Sequence, residues 1–160
     1  MYTKKQIKAI LDVIKNTDRE GLKRVFEQGG YLWATNGYVA LELGEVKDTL
    51  KGTEIKLERL VGRYGTMKAS ETTLLTDLAE PTDSTTPDMA NLLHKEYTKP
   101  DEILLNVQLL DTACKFLGVD KVGFEQNSQN HNCYRVKPLE DLPVYSSVME
   151  IKAYIMGLYK

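Results

Sequence analysis

The chain has 160 residues, 42% hydrophobic and 28% charged, which is the composition of one ordinary globular domain. With 21 Lys and Arg against 23 Asp and Glu, the net charge is −2, and wholesale polycation behaviour is excluded. Only two cysteines occur, Cys114 and Cys133, with no CxxC and no His pair at ligand spacing, so neither a zinc site nor a disulfide scaffold is expected.

No apolar run approaches the roughly 18 residues of a membrane span. The opening MYTKKQIKAILDVIK is charged at helical intervals and does not read as a signal peptide, so the expected setting is cytoplasmic, with no membrane partner.

Thr3 is placed to cap a helix over residues 3–16, with Ile7, Ile10, Leu11 and Ile14 on one face. The period then changes. Residues 22–27 alternate, Gln28-Gly29-Gly30 turns, and Tyr31–Thr35 and Tyr38–Leu43 follow as strands. Asn36-Gly37 between them predicts a two-residue type I′ hairpin. Farther on, residues 53–57 and 72–78 have strand composition, PTDSTTP at 81–87 is a loop, and Met89–Leu93 is a helical turn.

The same order recurs later in the chain. Glu102–Leu105 reads as a short strand, Asn106 caps a helix reaching Leu117, and Gly118 stops it in the left-handed conformation. Residues 121–125 and 133–137 alternate as strands around the polar loop Gln126–Asn132, and 144–151 is a further strand candidate. The expected fold class is therefore α+β, with two helix-plus-β-meander halves related by a pseudo-twofold. It forms a single domain over 1–160: a first half of about 1–60, a connection of about 61–100 and a second half of about 101–160.

Catalytic chemistry is not apparent. His94 and His131 fall in polar stretches without a nucleophile nearby, and His131 with Cys133 is only an HxC pair. Asp101-Glu102 and Glu140-Asp141 have the character of solvated turn acids. Gly62 and Gly65 lack the Lys-Ser/Thr that would make a phosphate loop, and Cys114 lies on the apolar helix face. A non-enzyme without cofactor or metal is expected.

Charge is unevenly spread. Residues 1–24 hold seven basic and three acidic side chains, whereas 71–111 hold nine acids against Lys95 and Lys99. Lys4, Lys8 and Lys15 share a side of the first helix with Lys5 adjacent, a stripe able to meet phosphates.

The segment YLWATNGYVALEL at 31–43 resembles the strand–turn–strand of bacterial DNA sliding clamps, the β subunit of DNA polymerase III, with Asn36 where the family has Asp. Pro87-Asp88-Met89 and the run from Ile103 to Cys133 are similar to the segment between clamp half-domains and to the second clamp repeat.

The resemblance implies a DNA-clamp-like domain that acts without catalysis as a replication accessory. It would bind duplex DNA sequence-independently through Lys4, Lys5, Lys8 and Lys15, or dock on replication proteins, as a possible homo-oligomer, since clamps close into rings. The chain has room for one such domain, and Gln108, Asp111, Thr112 and Lys115 make the second helix nearly neutral. That departure suits a phage protein, and the alternative is a phage-type interaction protein of the same fold that binds a host protein and no DNA. Support for the alternative comes from the acidic stretch and from Tyr145, Tyr154 and Tyr159, read as exposed aromatics.

Overall fold

The computed structural model describes residues 2–45, 68–79, 87–139 and 151–158. Four helices are described: α1 (Lys4–Lys15), α2 (Ala69–Thr76), α3 (Met89–Leu93) and α4 (Val107–Leu117). The strands are β1 (Phe26–Gln28), β2 (Tyr31–Thr35), β3 (Val39–Glu45), β4 (Tyr97–Thr98), β5 (Val122–Asn127), β6 (Cys133–Pro138) and β7 (Lys152–Met156).

All seven strands join one antiparallel sheet in the order β1-β2-β3-β7-β6-β5-β4. The α+β class is as expected. Outward from the central β3–β7 pair, each direction runs through a three-strand meander, so the order is symmetrical apart from the extra β4.

Alternation along the strands separates two faces. Leu32, Ala34, Val39, Leu41, Leu43, Val136, Ala153 and Ile155 point to one side, where α1 and α4 cover them. The buried face of α1 supplies Ile7, Ile10 and Ile14, and α4 supplies Ala113, Phe116 and Leu117. Both helices thus lie on the same face, packed against each other. Between them Gln6, fully buried, donates from Nε2 to the Phe116 carbonyl at 2.7 Å, and Tyr2 stacks on the Phe116 ring. The buried amide is satisfied by that bond, which also sets the helices' register.

The helix ends follow from their caps. Thr3 accepts from the Gln6 amide while Gln6 Oε1 accepts from the Thr3 amide, a reciprocal capping box. Asn106 caps α4, and Gly118 ends it at φ 73°, the left-handed geometry its sequence position predicted.

Several expectations need correction. Residues 72–78 are not a strand: α2 covers Ala69–Thr76, and Thr72, Thr73 and Thr76 donate their hydroxyls to carbonyls four residues back. The alternation at 22–27 opens instead as a 3-10 turn at Glu20–Leu22, with only Phe26–Gln28 extended. Glu102–Leu105 pairs with no strand among the described residues, and the short edge strand is Tyr97–Thr98.

The hairpin is not type I′ either, because among the described residues no non-glycine has positive φ. Of the two residues Asn36 and Gly37, only Gly37 has positive φ, at 93°, while Asn36 Oδ1 accepts from the amides of Tyr38 and Val39. The Asn side chain closes the turn that its backbone was expected to close.

Tyr154 is in β7 and only 2% exposed, so it is a core residue rather than a surface aromatic. The strand candidates at 53–57 and 144–150, Gly62, Gly65, Glu140-Asp141, Tyr145 and Tyr159 lie outside the described residues.

Candidate functional site

On the helix face, Lys4, Lys5, Lys8, Asp12 and Lys15 turn outward while the residues between them are buried. Lys15 Nζ is 2.7 Å from Glu71 Oε1 of α2, and this pairing holds the Glu71 carboxyl below its ordinary value. On α4, Lys115 pairs with Asp111 at 2.9 Å. The hydrogen bond and charge of Asp111 raise the Lys115 ammonium above its usual range, and Asp12 of α1 adds to the effect.

Lys4, Lys5 and Lys8 have no ion-pair partner among the described residues. Of the four lysines predicted to face a polyanion, three form an exposed patch over the first half of α1 that no described acid neutralises, and the fourth is tied to Glu71. Cations in the first turn oppose the helix dipole, so Lys4 and Lys5 do not serve the stability of α1.

The opposite face of the sheet is built differently. Leu22, Phe26, Trp33, Ala40, Cys133 and Tyr154 form a second apolar cluster with Met89 and Leu93 of α3. Among them sits Glu42 of β3, 2% exposed, with Oε1 2.5 Å from His94 Nε2 and accepting from Tyr154 Oη at 3.1 Å. A carboxylate taken out of water persists only with such partners.

Around this centre the His94 ring meets the Tyr31 ring edge-on at 4.5 Å and lies 5.4 Å from Trp33. Arg135 bonds Glu125 through Nε and Nη2, and its guanidinium lies 4.3 Å above the Tyr97 ring. Burial and the Glu42 charge push the Tyr154 phenol well above its ordinary range. Burial raises the Cys133 thiol to about 11. Neither group is poised to act as a base or nucleophile at neutral pH.

Two depressions flank the Leu93–Lys95 segment. One, about 440 Å³, is largely apolar, bounded by Tyr38, Met89, Leu92 and Met156, with Arg19 and Lys95 among its polar walls. The other, about 300 Å³, is bounded by Tyr31, Leu93, His94, Lys95, Arg135, Lys152 and Tyr154. Among the described residues no cluster of three or more His, Cys, Asp or Glu side chains is placed to hold a metal, and no helix is long and apolar enough to cross a membrane.

Comparison with family models, curated proteins and solved structures finds no match to this chain.

The sequence brought the lysines of α1 forward but missed Glu42, His94, Arg135 and Lys152. Glu42 occupies a polar position of an alternating strand, which reads as solvent-facing. Its only local sign is that Trp33 and Ala40, on the same face, are apolar too. His94 was expected in a polar loop. Instead it follows α3 and is half-buried against Glu42 and two aromatic rings.

Proposed function

We propose that the chain is a non-enzymatic accessory of DNA replication, built like one sliding-clamp domain, whose α1 face meets duplex DNA without reading its sequence. The observation that carries this reading is the exposed trio Lys4, Lys5 and Lys8, without an ion-pair partner among the described residues, on a helix set beside α4 over one face of a symmetrically ordered sheet. Phosphate neutralisation needs charge and little geometry, which such a patch supplies.

Three contacts bind weakly, and each contributes about 0.9 to the slope of log K against log salt, so a slope near −3 is expected. Fluorescence anisotropy with a labelled duplex across a salt series measures it. Changing Lys4, Lys5 and Lys8 together to Gln should abolish the binding, whereas Lys15→Gln should leave the slope nearly unchanged. Absence of duplex binding by the unaltered chain at low salt overturns the proposal.

A ring is not required. The outer strands have three and two residues, and β1 is partly covered by a bridge from Phe26 to Ala79, which leaves little edge for another copy. Light scattering decides whether copies associate.

The second reading, a phage-type protein that binds a host protein and no DNA, is favoured by one observation. Tyr38 and Leu92, 66% and 53% exposed, stand at the apolar depression on the opposite face.

A further inference from the structure

We propose that the 300 Å³ depression on the face opposite α1 and α4 is a binding site for the dianionic phosphate of a small phosphate monoester. Four of its seven lining residues, His94, Lys95, Arg135 and Lys152, are basic, and none is acidic. The proposal is independent of DNA binding by α1, which covers the other side of the sheet.

The decisive detail is Lys152. It is the cross-strand partner of Glu42 in the β3–β7 ladder, on the same face, where a buried carboxylate would ordinarily draw an ammonium to itself. Glu42 instead takes His94 and Tyr154, and Lys152 forms no ion pair with any described residue. Lys95, which also lines the depression, has no such partner either. Two ammonium groups therefore border one small concavity with no ion-pair partner among the described residues.

Arg135 is fixed between Glu125 and the Tyr97 ring. Two of its five N–H donors serve Glu125 and the others remain to serve a ligand. His94 is held by Glu42, so one wall of the depression is preorganised rather than assembled on binding. A terminal phosphate, with two charges and several acceptor oxygens, matches this donor set better than the singly charged diester of a duplex. A concavity of this volume admits the end of a small molecule and not a strand lying across it. Tyr31 and Leu93 form an apolar side against which the organic part of a monoester can rest.

Trp33 is the only tryptophan of the chain and lies 5.4 Å from the His94 ring, so its emission reports events at the site. The probe is inorganic phosphate, titrated at constant ionic strength with chloride as the control anion. Equilibrium dialysis of radiolabelled phosphate gives a second measure that does not depend on fluorescence. A saturable phosphate-specific signal is expected. Lys95→Gln and Lys152→Gln should each weaken binding about tenfold, and urea unfolding of each variant checks that the exposed Lys95 and the half-buried Lys152 are replaced without loss of the fold.

Adenosine monophosphate binding more tightly than phosphate would identify a nucleotide-like monoester, and equal binding a ligand recognised by phosphate alone. Absence of saturable binding in dialysis overturns the proposal. So does unchanged affinity in the Lys95→Gln/Lys152→Gln double variant, or an equal loss in the α1 triple variant, which would mean nonspecific attraction.

Discussion

The two faces of the sheet are covered by different means. On one, α1 and α4 lay down aliphatic and aromatic side chains, and the main polar link between them is the Gln6 bond to the Phe116 carbonyl. On the other, Met89 and Leu93 of a five-residue helix join a smaller apolar cluster that is built around a buried carboxylate held by a histidine and a phenol. A face closed by apolar area derives stability from every buried group. A face closed by polar partners depends on each one being present, since a stranded donor or acceptor costs more than the pair contributes. The first arrangement makes a scaffold and the second makes a site.

The largest test of that contrast is on the scaffold side. Phe116→Ala, deleting a fully buried ring beneath Tyr2, should cost about 3–5 kcal/mol in urea unfolding. On the site side, Tyr154→Phe removes only a hydroxyl and keeps the packing. The expected cost is about 1–2 kcal/mol, together with a change in Trp33 emission, because Trp33 touches both Tyr154 and His94. If the two variants melt alike, the division between the faces is wrong.

Gly37 should lose about 1–2 kcal/mol on replacement by Val. A side chain there meets open space, so the cost is that of forcing φ 93° on a β-branched residue. Thermal melting measures it.

Thiol reactivity separates the faces without changing stability. Cys133 is 3% exposed with its thiol raised to about 11, whereas Cys114 is half-buried, its thiol raised by burial and by the charges of Asp111 and Asp120. At pH 8 a disulfide reagent should label Cys114 slowly and Cys133 only after unfolding.

The smallest effect belongs to the exposed pair of Lys15 and Glu71. The lowered Glu71 carboxyl contributes only above its unfolded value, and that contribution fades as acid passes through the folded one. Glu71→Gln should be indistinguishable from the parent at physiological salt and neutral pH.

The sequence exposed the scaffold more fully than the site. Thr3 with Gln6, the isoleucines of α1 and Gly118 are local signals, and local signals are what a single chain displays. The threonines of α2 misled because β-branched residues favour strands until their hydroxyls find carbonyls within a helix. β7 was missed because KAYIM is short and buried on both faces, where alternation vanishes. The burial of Glu42 was invisible because His94 and Tyr154 come from 52 and 112 residues away. No local pattern records that α3 would close over that strand.

The place of β7 has a kinetic consequence. It is the latest of the described strands in the chain, yet it lies at the centre of the sheet, clasped by β3 on one side and β6 on the other. Until it arrives, the two meanders are separate ribbons, and Glu42 lacks Tyr154. The desolvation of that carboxylate therefore opposes early closure and favours it only once both distant partners are present. A ribosome-bound chain that has not yet released Lys152–Met156 should remain open along its middle, with the finished sheet appearing in one late, cooperative step.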